Sequence, residues 1–250
     1  MLKHIQRAFL ENPGFLWGHT ALFLLGMLLL ASGFPVLTAI GPSVAAVGIV
    51  GYVSYLSVKN EDSIGRQGRV LVSDYGFRAA FSRRGAAIPE EYNKRLAGVR
   101  DAIDVLGFGL AALRQDYGPE FDEWAKHAVV RVLLIDPDYP NGGSSYARQR
   151  DLEERSSPGQ ISSDVEAFLR DTSDLRSANK GFQVRLMRCL PSVNIFRVDD
   201  EIFWGPYLMG GPSRNLPTFV VAEPGRMYKT LRAHFDAIWD SSDFSAPAPR

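Results

Sequence analysis

Oxygen-rich side chains gather in two short stretches of this sequence. The first, DPDYPNGGSSYARQR at residues 136–150, follows a long apolar run. Asp136, Asp138 and Asn141 offer hard oxygen ligands of the kind that hold calcium or magnesium. The same residue types also spell a plain turn, which is the simpler reading, and no metal is expected. Asn141, Ser144 and Ser145 belong to an NGGSS run whose backbone N–H groups could cradle a phosphate. The run lacks the Gly-x4-Gly-Lys-Ser/Thr pattern of a nucleotide loop. Arg148 and Arg150 would assist an anion, but Asp151, Glu153 and Glu154 follow at once. The second stretch is PSVNIFRVDDEIFWGPYLMGG, residues 191–211. Two apolar runs flank the pair Asp199-Asp200 and Gly205 follows, the pattern of a β-hairpin that presents groups at its ends.

Other chemistry is thinly supplied. The four histidines, His4, His19, His127 and His234, are scattered and form no metal-binding pair. His127 precedes an apolar strand and His234 lies on the apolar face of the last helix, where a hydrogen-bonded core ring is expected. Cys189 is the single cysteine, which rules out an internal disulfide and fits a reducing compartment. Lysine plus arginine and aspartate plus glutamate both number 28, so no net charge draws the chain to nucleic acid. No cofactor is implied.

These stretches need a scaffold, and apolar residues at 46% of 250 can bury one. Helical spacing of Tyr92, Leu96 and Val99 opens the folded part near residue 87. A short strand follows at 103–108, then a helix broken near Gly118-Pro119, then the continuous apolar strand VVRVLLI. An amphipathic helix over 158–180, the strand FQVRLMRC, the two hairpin strands, TFVVAE and a closing helix over 226–239 complete the order. Alternating strands and helices predict an α/β domain over 87–240, with ligands beyond the carboxyl ends of its strands. Residues 241–250 read as a flexible tail.

Ahead of this domain, residues 12–58 contain no Asp, Glu, Lys or Arg. One bilayer-spanning helix takes about 20 apolar residues. The gap therefore holds two helices, near 14–31 and 35–58, joined by the turn SGFP. It is much longer than the apolar core of a signal peptide, about 7–15 residues. Ala45, Gly48, Gly51 and Ser54 form a small-residue stripe suited to close helix packing, within the hairpin or between copies. Lys3 and Arg7 before the first span, and Lys59, Arg66 and Arg69 after the second, place both termini in the cytoplasm. The expected location is the cytoplasmic membrane, with the lipid bilayer as partner and a homo-oligomer as the assembly. Residues 59–86 read as a juxtamembrane linker whose arginines 66, 69, 78, 83 and 84 suit anionic headgroups.

The strand ending in Asp136-Pro137, the late DD-x-hydrophobic hairpin and the closing helix with His234-Phe235 and Trp239 resemble the phospholipase D superfamily. The resemblance covers about residues 88–240 and is nearest to a bacterial group of uncharacterised phospholipase D-like domains. It implies a phospholipase D-like α/β sandwich. Active members carry H-x-K-x4-D, in which alternate strand positions aim His and Lys at one phosphate. The imidazole serves as nucleophile or acid and the ammonium stabilises phosphoryl charge. Here the motif reads Ser192-x-Asn194-x4-Asp199, and Gly205 is followed by Pro206 rather than serine. The acid is kept and the reactive pair is not. The resemblance then implies a non-catalytic domain that takes a nucleotide or another phosphate-bearing small molecule, or a partner protein. The expected ligand set is Asp136, Asn141, Ser144, Ser145, Arg148, Asn194 and Asp199. Two spans with a cytoplasmic sensor also resemble bacterial antiviral effectors that act on the membrane. The alternatives are a phosphodiesterase or phospholipase with altered residues, and a structural membrane protein that docks a partner.

Overall fold

The computed structural model describes residues 13–82, 84–141 and 143–249. The chain divides between Val70 and Leu71 into two compact units.

The first unit is a helical hairpin. Helix α1 spans Pro13–Ala31 and α2 spans Pro35–Ser73, each opening on a proline whose fixed φ suits a first turn. Within them, Gly14–Ala31 and Pro35–Ser57 are long and apolar enough to cross a bilayer. Only 6% and 22% of those two segments is buried, whereas a core helix of a water-soluble protein hides most of its apolar surface. Leu28, Phe34, Val36 and Val50 all lie open. Glycines set the contact between the helices. A Cβ on Gly48 would fall 2.5 Å from the backbone nitrogen of Phe23, and one on Gly51 would strike the ring of His19. The small-residue stripe is thus used inside the hairpin, where Ala45 lies against Gly26. His19 donates from Nδ1 to the Phe15 carbonyl, 2.8 Å away. Lys3, His4 and Arg7 lie outside the described residues.

The second unit is an eight-stranded sheet with helices on both faces. Its strands are β1 (Phe77–Phe81), β2 (Ala102–Gly107), β3 (Val129–Ile135), β4 (Phe182–Met187), β5 (Val193–Val198), β6 (Glu201–Pro206), β7 (Thr218–Ala222) and β8 (Ser245–Pro247). Their spatial order is β1-β7-β6-β5-β2-β3-β4-β8. The central β2, β3 and β4 run parallel, and every other pairing is antiparallel. The helices are α3 (Arg84–Leu96), α4 (Ala111–Tyr117), α5 (Phe121–His127), α6 (Tyr146–Glu154), α7 (Gln160–Asp171), α8 (Ser173–Ala178) and α9 (Arg226–Asp240). The α/β class expected from alternating patterns is the one found, preceded by two apolar helices. Central strands are buried on both faces, which is why they read as mainly apolar runs, each broken by one charged residue. On one face Tyr92 of α3 packs on Phe196 and Phe203, with ring centroids 4.6 and 4.7 Å apart. Phe121 of α5 sits between Phe168 of α7 and Phe182 of β4 on the same face.

The other face carries charge. Arg197 of β5, Asp104 of β2 and Arg131 of β3 stand at matched register on three adjacent strands. Arg197 Nη1 donates to Asp104 Oδ2 at 2.8 Å. Arg131 makes a two-pronged contact with the same carboxylate at 2.7 and 2.9 Å. Helix α9 closes over this ladder. Asp236 accepts from Arg131 at 2.9 Å, and the rings of Phe235 and Trp239 lie 4.9 and 5.5 Å from its guanidinium carbon. Burial weighs against the charge on Arg131 and Arg197. The hydrogen bonds and charge of Asp104 outweigh it, so both guanidinium pKa values lie above the ordinary one.

Two segment assignments change. The stretch read as a linker, 59–86, holds the end of α2 and β1, and β1 pairs with β7. Arg83 lies outside the described residues. The stretch read as a flexible tail, 241–250, contributes β8, whose Ser245 is buried and bonded on both sides. Its hydroxyl donates to Ile238 O at 2.7 Å and accepts from Arg185 Nε at 2.8 Å. Neither segment shows enough periodicity to betray a short edge strand, because such strands owe their order to the neighbour.

Asp104→Ala would leave two arginines facing each other without their shared carboxylate. The expected loss is about 3–5 kcal/mol, the usual result of breaking a buried pair from one side. Denaturant unfolding followed by tryptophan fluorescence measures it. Asp236→Ala should cost clearly less, because that carboxylate is one-third open to solvent.

Candidate functional site

The carboxyl ends of parallel β2, β3 and β4 define one end of the sheet, and the amino end of antiparallel β5 lies at the same end. Ser192, Asn194 and Asp136 therefore share it. Ser192 is exposed and its carbonyl accepts from Tyr207 N–H at 3.0 Å. Asn194 is 3% exposed and donates from Nδ2 to the Gly205 carbonyl across the hairpin, 3.0 Å away. That contact explains the glycine: a Cβ at 205 would lie 2.6 Å from Pro217 O and 3.3 Å from the Asn194 amide. Asn194 thus works as a cross-link of the hairpin.

Asp199 is at the opposite end of the sheet, beyond the far end of β5. Five residues of strand separate it from Asn194, roughly 16 Å at the usual rise. Its carboxylate accepts backbone N–H bonds from Arg100, Asp101 and Ala102 at 3.1, 2.9 and 3.1 Å. Its carbonyl accepts from Arg197 Nε at 2.7 Å and Tyr228 OH at 3.0 Å. The residue adopts φ +50°, a left-handed conformation that Asp and Asn tolerate best among side-chain-bearing residues. Asp199 builds the hairpin turn and ties it to the start of β2. The expected ligand set therefore does not converge: Asp199 is separated from Asp136 and Asn194 because a hairpin strand spans the width of the sheet between them.

The loop after β3 is largely consumed by its own backbone. Asp136 Oδ1 accepts from Asp138 N–H at 3.2 Å, a local turn. Asn141 Oδ1 accepts from Ser144 N–H and Oγ at 3.1 and 3.0 Å. Ser145 is buried and caps α6 by accepting from Arg148 N–H at 3.4 Å. Among the described residues no group of three His, Cys, Asp or Glu side chains is placed to hold a metal ion. Arg148 is exposed on α6. Arg150 is not an anion receptor: it is 1% exposed, ion-paired to Glu153 and Glu154, and stacked near the rings of Phe108 and Tyr207. A further basic group stands at this end, which pattern reading passes over. Arg188, just past β4, reaches Asp136 Oδ2 from Nε at 3.3 Å and stays 44% exposed. The signal for it is its place one residue beyond the alternating strand FQVRLM, at a carboxyl end.

The histidines hold no shared site. His127 ends α5, is exposed, and lies 2.9 Å from Glu123 Oε1, which helps hold that carboxylate below its usual pKa. His234 is half-buried, and its Nε2 is enclosed with no hydrogen-bond partner among the described residues, unlike the bonded core ring expected. Burial lowers its pKa. The lone Cys189 thiol is pushed up by burial and is correspondingly unreactive.

The sequence matches no protein-family model and no curated protein. Two solved structures are similar in outline. One is TrmBL2, an archaeal chromatin protein described as showing a novel mode of DNA binding: TM-score 0.42, 12% identity, 82% of this chain and 69% of that one. The other is NucT from Helicobacter pylori: TM-score 0.40, 9% identity, 65% of this chain and 95% of that one. At that distance neither bears on function.

Two outcomes follow from this geometry. Asp199→Ala should lower stability by about 2 kcal/mol, through three unmet N–H groups and strain at positive φ. Chemical denaturation reads this, so loss of any activity in that variant reports folding rather than chemistry. His234 has a folded pKa below its unfolded value, about 6.5. Its neutral form is therefore native, and its contribution is complete above that pH and shrinks as the pH falls through it. The slope of unfolding free energy between about pH 7 and pH 5 should be shallower in His234→Gln.

Proposed function

We propose that this chain is a membrane-anchored, phospholipase D-like module that binds a phosphate-bearing ligand or a partner and does not cleave phosphodiesters. One observation carries the reading most directly. At the position where an active member would aim an ammonium at phosphate stands Asn194, a neutral amide, buried and engaged on Gly205 O. An amide donates hydrogen bonds but cannot supply the formal charge that stabilises a phosphoryl transition state. Arg188, beside Asp136, and Ser192, on the far side of β2 and β3 from it, are exposed polar groups at that end of the sheet. The apolar hairpin supports the anchoring half of the reading, since its lipid-length helices are largely open. Its action through the membrane, in antiviral defence or otherwise, is the wider form of the same proposal.

Purified full-length protein in nanodiscs should hydrolyse bis(p-nitrophenyl) phosphate no faster than empty nanodiscs. Turnover at enzyme-like rates, abolished by Ser192→Ala with folding intact, would overturn the non-catalytic reading. Arg188→Gln should weaken binding of phosphate-bearing probes such as cyclic dinucleotides by about tenfold, the effect of one charged contact. The anchor is tested separately: the protein should stay with membranes through an alkaline carbonate wash and leave only with detergent.

A further inference from the structure

A hollow of about 360 Å³ lies beside the starts of β2 and β3, at the opposite end of the sheet from Ser192 and Arg188. Small-ligand sites run from about 300 to 1,000 Å³. The last turn of α3 and the residues just after it form one wall, with Leu96 and Val99 as its apolar part. The other wall is one helical face that runs from Tyr117 through the short turn Gly118–Glu120 into α5. Glu120, Glu123, Trp124 and His127 recur on it three or four residues apart.

The lining has a consistent electrical sign. The rings of Tyr117 and Trp124 stand with centroids 5.7 Å apart, and ring faces attract cations. Glu120 and Glu123 are exposed on the rim. Glu123 is shared with Lys126 and His127. Glu120 has no ion pair among the described residues, and although it precedes α5 its side chain makes no capping hydrogen bond. Helix α3 ends at Leu96, so the negative end of its dipole falls at the same place. Burial first, and then the nearby Tyr92, Asp116 and Glu120, push the Tyr117 hydroxyl up, so further negative charge is disfavoured here.

One polar donor is also left over. Trp124 is 5% exposed, and the part left open lines the hollow. Its indole N–H has no hydrogen-bond partner among the described residues and is not one of their enclosed polar atoms, so it faces that opening. A donor held there calls for an acceptor.

We propose that this hollow binds a small hydroxyalkylammonium ion, a free amino alcohol of the choline or ethanolamine class. The ammonium group lies between Glu120 and the Tyr117 ring, the alkyl arm rests on Leu96 and Val99, and the hydroxyl oxygen accepts from the Trp124 N–H. An inorganic cation would use the carboxylates but leave the rings and the indole unmatched. The same group carried on a phospholipid would bring a phosphate against Glu120 and Glu123, which favours the free ion. The site lies apart from the phosphate-facing end of the sheet and stands or falls without it.

The test is calorimetric titration of the full chain in a maltoside detergent, which carries no ammonium group. Choline chloride should give saturable binding heat. Its uncharged carbon isostere, neohexyl alcohol, should give none, nor should sodium chloride at equal ionic strength. Glu120→Gln changes an exposed side chain and should fold like the wild type, yet bind choline about tenfold more weakly, the effect of one charged contact. Tyr117→Leu should weaken binding several-fold, whereas Tyr117→Phe, which keeps the ring, should not. Equal heat from choline and its isostere would overturn the proposal, as would unchanged affinity in Glu120→Gln. Phosphocholine that binds more tightly than choline, in a manner dependent on Glu120, would assign the site to a lipid headgroup and overturn it as well.

Discussion

One carboxylate holds the sheet domain in register. Asp104 lies at the centre of the sheet, 1% exposed, and takes hydrogen bonds from arginines on the strands to either side. Because β2 runs parallel to β3 and antiparallel to β5, the three charged positions meet only if both pairings are in the native alignment. A slip by one residue would turn every side chain of a strand to the opposite face and leave the ions unmatched. Apolar runs such as VVRVLLI carry little register information themselves, since either face is acceptable to them. The ladder supplies that information, and α9 seals it with Asp236 and two aromatic rings.

The same economy governs the rest of the unit. Polar groups that look available in the sequence are mostly fastened to the fold. Asp199 gathers the start of β2, Asn194 bridges its hairpin, Asn141 and Ser145 shape a loop and a helix start, and Asp151 sets the next helix. Among the described residues, Ser192 and Arg188 are side chains that stay exposed at the carboxyl end of the parallel strands.

Much of the scaffold was legible from pattern. The two apolar helices, the central strands and the helix ending at Trp239 announce themselves because burial imposes period and composition on them. The edge strands β1 and β8 do not, since half of each faces solvent. The candidate site was legible only in part. Residue types and the S-x-N-x4-D spacing pointed to the hairpin, but spacing along a strand does not tell which end of the sheet a residue reaches. The resemblance therefore groups Asp199 with Asn194, while the strand between them sets the two at opposite ends of the sheet. The ladder leaves a mark in the sequence: Asp104, Arg131 and Arg197 each interrupt a mainly apolar strand. A charge inside a buried run has to find a partner, so three such interruptions imply one another.

The last strand has a bearing on how the domain keeps to itself. Strand β8 is three residues long, ends in Pro247, and covers the flank of β4. A proline there offers no amide proton to an incoming chain, and so brief a strand is a poor template for intermolecular pairing. Strand β8 thereby acts as a stopper on an otherwise adhesive flank. Without it the backbone of Arg185, Leu186 and Met187 would lie bare to neighbouring molecules, an open flank that invites strand addition.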